Sequence, residues 1–340
     1  MSNLIRIDGL SVHYPLKGPL FGPKPVLRAI DGVSLEVPAG SFFGLVGESG
    51  SGKTTLGRAI LKAAPISEGR IVYDDGTDRF DVGLMGAKQT KAYRRHAQLI
   101  FQDPYAALSP RMTIRDIIAE PLEVMGVTEG REQTDARVRE IAAMCRLNVE
   151  HLRRFPHAFS GGQRQRISIA RALAASPRFL VADESVAALD VSIQADILNL
   201  LKRLQRDLGL TFLFISHDLS VVAHTCDHVA VMYLGRLVET APTRSLFFRT
   251  AHPYTKALMS AIPSLDPDDR GRAQKLEGEI PSPTNPPPGC KFHTRCPFAQ
   301  ERCRREEPVL RRPELPGAPH DHRVACHFAE ELAEAAPAPA

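Results

Sequence analysis

Gly47-Glu48-Ser49-Gly50-Ser51-Gly52-Lys53-Thr54 restricts the fold open to this chain more than any other feature. A glycine, four residues and then Gly-Lys-Ser/Thr cradles phosphate when the turn joins a strand to a helix. Both flanks are present. Phe42-Phe43-Gly44-Leu45-Val46 reads as a buried parallel strand. Thr54 to Lys62 reads as a helix with Leu56, Ile60 and Leu61 on one face. Such a turn aims backbone N–H groups and a positive helix terminus at a phosphate chain. Lys53 would add a mobile positive charge, and the Thr54 hydroxyl is a Mg²⁺ ligand by type. The candidate nucleotide contacts are therefore Gly47, Glu48, Ser49, Gly50, Ser51, Gly52, Lys53, Thr54 and Thr55.

Two later segments supply the rest of such an engine. Arg178-Phe179-Leu180-Val181-Ala182-Asp183-Glu184 reads as a buried strand ending in two acids, where open α/β sheets bind their ligands. Asp183 would hold Mg²⁺ through water, and Glu184 would polarise an attacking water. Ser160-Gly161-Gly162-Gln163 precedes a helical stretch, Arg164 to Ala175, which carries Ile167, Ile169, Ala170 and Leu173. Ser160 is then an N-cap, and its hydroxyl, the glycine amides and the helix terminus form an anion site.

The pairing of these two glycine-rich strings resembles the ATP-binding-cassette family. The resemblance implies that Gln102, in Leu99-Ile100-Phe101-Gln102-Asp103-Pro104, touches Mg²⁺ and water and signals to a membrane partner. It implies that His217, in Phe214-Ile215-Ser216-His217-Asp218, is a switch contacting the γ-phosphate, and that Asp190 communicates across a dimer. Tyr14 matches the aromatic that stacks on adenine; its bland alternative is an exposed tyrosine at a strand end. In the family the Ser160 site faces ATP held by the other subunit. One phosphate loop and one such string therefore imply a second homologous ATPase subunit.

A closer resemblance covers residues 4 to 328. His252-Pro253-Tyr254-Thr255, Leu276 to Pro283, and Cys290 through Cys326 are similar to the C-terminal extension of dipeptide/oligopeptide importer ATPases. Phe101-Gln102-Asp103-Pro104-Tyr105 and Gly52 to Arg58 resemble the second of their two ATPase subunits. Ser185 stands where the family usually has proline, and Ala187 where it has serine; neither removes a catalytic group. The resemblance implies two transmembrane permease subunits and an extracytoplasmic peptide-binding protein as partners. A nickel chelate, a glutathione-like peptide or another small solute is an alternative cargo. A soluble cassette ATPase would usually carry two cassettes or a strongly basic insertion, and a phosphate-loop kinase would need a substrate lid in place of Ser160 to Gln163.

Composition and segment character agree. The chain has 340 residues, 43% hydrophobic and 24% charged, enough for one large α/β domain and an accessory piece. A net charge of +4 is too mild to imply a nucleic-acid partner. No apolar run reaches the roughly 18 residues of a membrane span, and the first residues lack a secretory h-region. The expected place is the cytoplasmic face of the plasma (inner) membrane, peripherally. The expected fold is an α/β phosphate-loop NTPase cassette over residues 1–250. It has an N-terminal antiparallel β-subdomain and a helical subdomain at about 104–165. A small Cys-containing extension over 251–328 and a disordered tail over 329–340 follow. Residues 17–25 read as a surface loop and 263–289 as a proline-rich linker.

Six cysteines divide into two groups. Cys145 and Cys226 read as buried small apolar residues. Cys290, Cys296, Cys303 and Cys326 cluster after the linker, and disulfides are disfavoured in a cytosolic ATP-using chain. Zinc sites favour Cys-x₂₋₄-Cys pairs, and none occurs here. The wider spacing, with Pro297 after Cys296, suits a [4Fe–4S] cluster. Zinc, with His293, His320, His322 and His327 at hand, and free thiols in a folded tail stay open.

Overall fold

A computed structural model of the chain describes residues 2–17, 24–262 and 276–334. The inner part of the 17–25 loop, most of the proline-rich linker's first half and the end of the tail lie outside those residues.

Two sheets share the core. The first is antiparallel, in the order β2-β1-β4-β5: β1 (Asn3–Pro15), β2 (Val26–Pro38), β4 (Glu68–Asp74) and β5 (Arg79–Asp81). The second contains β3 (Phe42–Val46), β6 (Ala97–Ile100), β7 (Phe179–Asp183), β8 (Thr211–Ser216), β9 (His228–Tyr233), β10 (Arg236–Pro242) and β11 (Arg323–Val324). Its order is β11-β10-β9-β3-β8-β7-β6, parallel from β9 to β6 and antiparallel at β10 and β11.

The parallel strands are apolar because both faces are covered. Successive side chains point to opposite faces, so Phe212 and Phe214 of β8 enter one core while Leu213 and Ile215 enter the other. Phe42 stacks on Phe212 at 4.7 Å, fixing β3 beside β8. On one side the sheet carries α1 (Lys53–Ile60) and the antiparallel sheet, with α2 (Ala87–His96) leading into β6. On the other it packs against the helical region.

That region comprises α3 (Pro104–Ala107), α4 (Ile114–Met125), α5 (Gly130–Met144) and α6 (Gly161–Leu173). α6 stands where the helical stretch after Ser160 is expected. α7 (Val191–Leu208) buries Ile197, Leu200, Leu201 and Leu204 on one stripe, whereas Leu208 is 37% exposed. Cys145 and Cys226 cap α5 and α8 (Leu219–Thr225), and both are buried; burial pushes the Cys145 thiol up to about 12.

The C-terminal segment is joined to the cassette through β10. α9 (Thr243–Phe248) and α10 (Pro253–Ser260) follow that strand, and β11 adds to its free edge. Beneath this corner the buried His322 bridges Glu239 at 2.9 Å and Ser245 at 3.1 Å. α11 (Glu301–Arg305) and α12 (Ala329–Glu334) complete the chain. The expected disordered tail therefore needs correcting, because its first residues form α12. Ala329 is fully buried, and Arg311 grips Glu330 with two bonds of 2.6 and 2.8 Å.

His252 caps α10, its Nδ1 accepting from the Tyr254 N–H at 3.1 Å. Burial pushes its imidazole down to about 4, against the opposing carboxylate of Glu239. A histidine whose folded value lies below about 6.5 gains a proton on unfolding. Its contribution is complete above about pH 6.5 and is lost as the pH falls toward 4, by up to about 3 kcal/mol. His252→Asn keeps a capping acceptor that does not titrate. Denaturant unfolding of this variant is expected to lose less stability than the parent between pH 6.5 and 4; parallel profiles would contradict the assignment.

Candidate nucleotide site

β3 delivers Val46 to the edge of the sheet, and the chain then turns through Gly47 at φ +149. A side chain there would collide with the Met232 carbonyl at 2.2 Å, so only glycine lets the loop hug β9. The loop closes around its own lysine. Lys53 is buried and donates to the carbonyls of Gly47 (2.6 Å) and Glu48 (2.8 Å) and to the Ser51 hydroxyl (3.4 Å). Burial lowers its pKa, against the raising influence of Glu184, Asp183 and Glu48. Ser49 and Gly50 are exposed at the loop tip, and Thr55 is half-buried in the first turn of α1.

Thr54 donates through Oγ1 to Asp183 at 3.1 Å, across 129 residues of sequence. Asp183 is buried at the end of β7, and that burial pushes its pKa up more than Thr54 lowers it. Glu184 follows with φ +44, an uncommon left-handed conformation for a side-chain-bearing residue. Its N–H is tied to the Ile215 carbonyl at 3.0 Å. Gln102, beyond β6, donates to one Glu184 oxygen at 2.8 Å, and His217, beyond β8, lies 3.4 Å from the other. Four of the candidate residues, Gln102, Asp183, Glu184 and His217, therefore meet at the carboxyl ends of three neighbouring parallel strands.

The other candidates lie apart from this centre. Ser160 caps α6 in a reciprocal box: its hydroxyl accepts the Gln163 N–H at 3.4 Å, and its own N–H donates to the Gln163 side chain at 3.0 Å. Gly162 lies where a Cβ would meet Ile193 at 2.5 Å, and Gly161 faces Leu189 at 3.6 Å, so the cap packs on the start of α7. Asp190 is exposed at the N-cap of α7 and makes no side-chain capping bond. Among the described residues, no hydrogen bond links Ser160 or Asp190 to this chain's own phosphate loop. Tyr14 is half-buried and pairs with Leu27. Two residues on, the Ala29 carbonyl lies 2.5 Å from where a Gly52 side chain would begin, which puts this end of β2 against the loop. Ser185, in place of the usual proline, is buried with its hydroxyl unpartnered.

Glu48 is held in a way that the motifs do not reveal. Its carboxylate faces Arg295, and its N–H donates to the Tyr254 hydroxyl at 2.8 Å. Neither partner carries a motif that sequence reading could assign to a nucleotide site; each lies more than two hundred residues downstream.

The four late cysteines converge. The Cys290 N–H donates to the Cys303 carbonyl at 2.8 Å, and every pair among Cys290, Cys296, Cys303 and Cys326 is within electrostatic reach. All four are free thiols, and burial raises Cys290, Cys296 and Cys326 to about 11 each. Among the described residues, no three of these sulfurs lie mutually within 4.8 Å.

Comparison with known proteins agrees with this geometry. Residues 30–187 match the family described as ABC transporter, and residues 238–303 the oligopeptide/dipeptide transporter C-terminal region. A Brucella ovis protein named for peptide import ATP binding is 50% identical over 308 residues, covering 91% of this chain and 94% of the relative. An oligopeptide transport ATP-binding protein of Bacillus subtilis is 46% identical, covering 96% and 95%. A di/tripeptide transport ATP-binding protein of Pseudomonas aeruginosa is 43% identical, covering 98% and 99%. Among solved structures, a dimeric ABC cassette in a post-hydrolysis state with ADP and phosphate superposes with a TM-score of 0.61 at 26% identity, covering 71% of this chain and 99% of that one. The chain belongs to the ABC transporter family and carries the C-terminal region of its oligopeptide/dipeptide branch.

Proposed function

We propose that this chain is the ATP-hydrolysing subunit of a peptide importer, paired with a second, homologous ATPase subunit beneath two permease subunits. An extracytoplasmic binding protein would bring dipeptides or oligopeptides to those permeases. The observation that carries the reading is the meeting of Gln102, Asp183, Glu184 and His217 beside the phosphate loop, in a chain that also carries the oligopeptide-branch extension.

The glycine-rich loop and Lys53 would bind the β- and γ-phosphates, Lys53 leaving its two carbonyl partners for the stronger charge of the triphosphate. Tyr14 would stack on the adenine. The Thr54 hydroxyl and the buried Asp183 carboxylate, already 3.1 Å apart, are a hard-oxygen donor set that suits Mg²⁺. Bound there, Mg²⁺ would neutralise charge on the phosphates. Glu184 would orient a water and accept its proton as the water oxygen bonds to the γ-phosphorus and the bond to the ADP oxygen breaks. Gln102 already donates to one carboxylate oxygen of Glu184 and His217 lies beside the other, and together they would set its direction.

Ser160, Gly161, Gly162 and Gln163 would serve ATP bound to the partner ATPase, with Asp190 at the same interface. Their separation from this chain's own loop supports that assignment. No helix among the described residues is long and apolar enough to cross a membrane. Next to Gln102 an apolar groove is lined by Leu99, Phe101, Pro121, Val124 and Met125, with Phe101 43% and Val124 61% exposed. This groove supports docking of a permease at the cytoplasmic face of the membrane.

Cys290, Cys296, Cys303 and Cys326 would hold a [4Fe–4S] cluster as a structural staple for a segment with few large apolar residues. The convergence of the four thiols supports this. Anaerobically purified full-length protein is expected to be brown and to contain about four irons per chain. One tightly held zinc without iron would replace the cluster, and neither metal would remove it.

The two glycine-rich strings separate in a binding experiment. Lys53→Ala is expected to weaken ATP binding by the isolated subunit at least about tenfold. Ser160→Ala is expected to leave it within about twofold of the parent, because that hydroxyl would serve the neighbour's nucleotide. Equal losses in calorimetric titration would contradict the cross-subunit role.

A further inference from the structure

We propose that Arg295 is a positioning residue for the phosphate loop: it holds Glu48 and cancels its charge, so that a triphosphate can bind beside a carboxylate. The proposal rests on the ATP-site reading above and adds to it a residue of the C-terminal segment.

Glu48 is the second residue of the loop, and each of its polar groups is held. Its carboxylate receives two parallel bonds from the Arg295 guanidinium, at 2.7 and 3.1 Å. Its N–H is taken by the Tyr254 hydroxyl, and its carbonyl by Lys53 at 2.8 Å. Two of the three anchors therefore come from beyond β10. Bidentate Arg–carboxylate pairing fixes orientation as well as charge.

Arg295 is itself immobilised. Its side chain is only 6% exposed, its N–H donates to the Phe292 carbonyl at 3.0 Å, and its guanidinium lies 5.9 Å from the Tyr233 ring. Tyr233, Tyr254 and Phe292 pack edge-on or tilted at 4.8 to 5.3 Å, so the hydroxyl and the guanidinium that reach Glu48 rest on one aromatic platform. A lone surface ion pair has neither this burial nor this support.

A bound triphosphate adds several negative charges beside Glu48, and an unpaired carboxylate would repel them strongly in this half-buried setting. Arg295 removes that repulsion from within the same chain while Lys53 is left for the phosphates. It touches Glu48 and not the nucleotide. The expected signature is thus a penalty on ATP affinity that exists only while Glu48 carries its charge.

Calorimetric titration of the full-length protein with Mg-ATP tests this in two backgrounds, with thermal unfolding recorded for every variant. Arg295→Gln is expected to weaken ATP binding about tenfold, and Arg295→Lys, which keeps the charge, by less than about threefold. In the Glu48→Gln background the Arg295→Gln penalty is expected to fall below about threefold. If the pair merely tethers the C-terminal segment, the double variant will bind as weakly as Arg295→Gln, and that result overturns the proposal. An unchanged affinity in Arg295→Gln overturns it too, provided Lys53→Ala loses ATP. If Lys53→Ala binds like the parent, the ATP-site reading falls and this proposal falls with it.

Discussion

The parallel ladder running from β3 through β8 and β7 to β6 sets the position of the strand-end polar groups at the nucleotide site. These strands are short and apolar on both faces, and their ends are in register: Val46 pairs with Ser216, and Asp183 with Ile215. Each strand therefore releases its chain at the same edge, where Gly47, Gln102, Glu184 and His217 begin their loops. The stacked Phe42 and Phe212 and the buried Phe214 hold this ladder from one side. Each such buried aromatic contributes roughly 1.5–3 kcal/mol. Shifting one strand by a residue would exchange its side chains between the two cores and carry its terminal polar group out of the site.

The parts legible in the sequence are those with a local physical cause. The phosphate loop could be read because glycine is needed at Gly47, where the Met232 carbonyl leaves no room for a side chain. Ser160 could be read as a cap because a serine before a helix with glutamine three residues on satisfies two end groups at once. The buried strands Phe42–Val46 and Phe179–Asp183 stand where the apolar runs put them. The contact of Gln102 with Glu184 has no local signal; family resemblance alone suggested that these residues share a site.

What was not legible depends on pairing between distant segments. Arg295 looks like any basic residue beside a cysteine until folding brings it 247 positions back to Glu48. The left-handed Glu184 is equally silent, since it is imposed by the tie of its N–H to Ile215. The tail reads as low-complexity alanine and proline, yet its first turn folds because Ala329 packs with Val324 and Cys326, and Glu330 pairs with Arg311. The C-terminal segment packs closely on the cassette. It extends the sheet through β11, buries His322 against Glu239, and reaches the phosphate loop through Tyr254 and Arg295.

In the proposed mechanism Glu184, directed by Gln102 and His217, drives hydrolysis while the phosphate loop holds ATP. Glu184→Gln keeps the size of the side chain and removes the charge that takes the proton. Single-turnover hydrolysis and ATP titration, measured on the same preparation with the partner ATPase's own sites disabled, test the claim directly. Hydrolysis at least about 100-fold slower with ATP binding retained is expected. Turnover near that of the parent would contradict it.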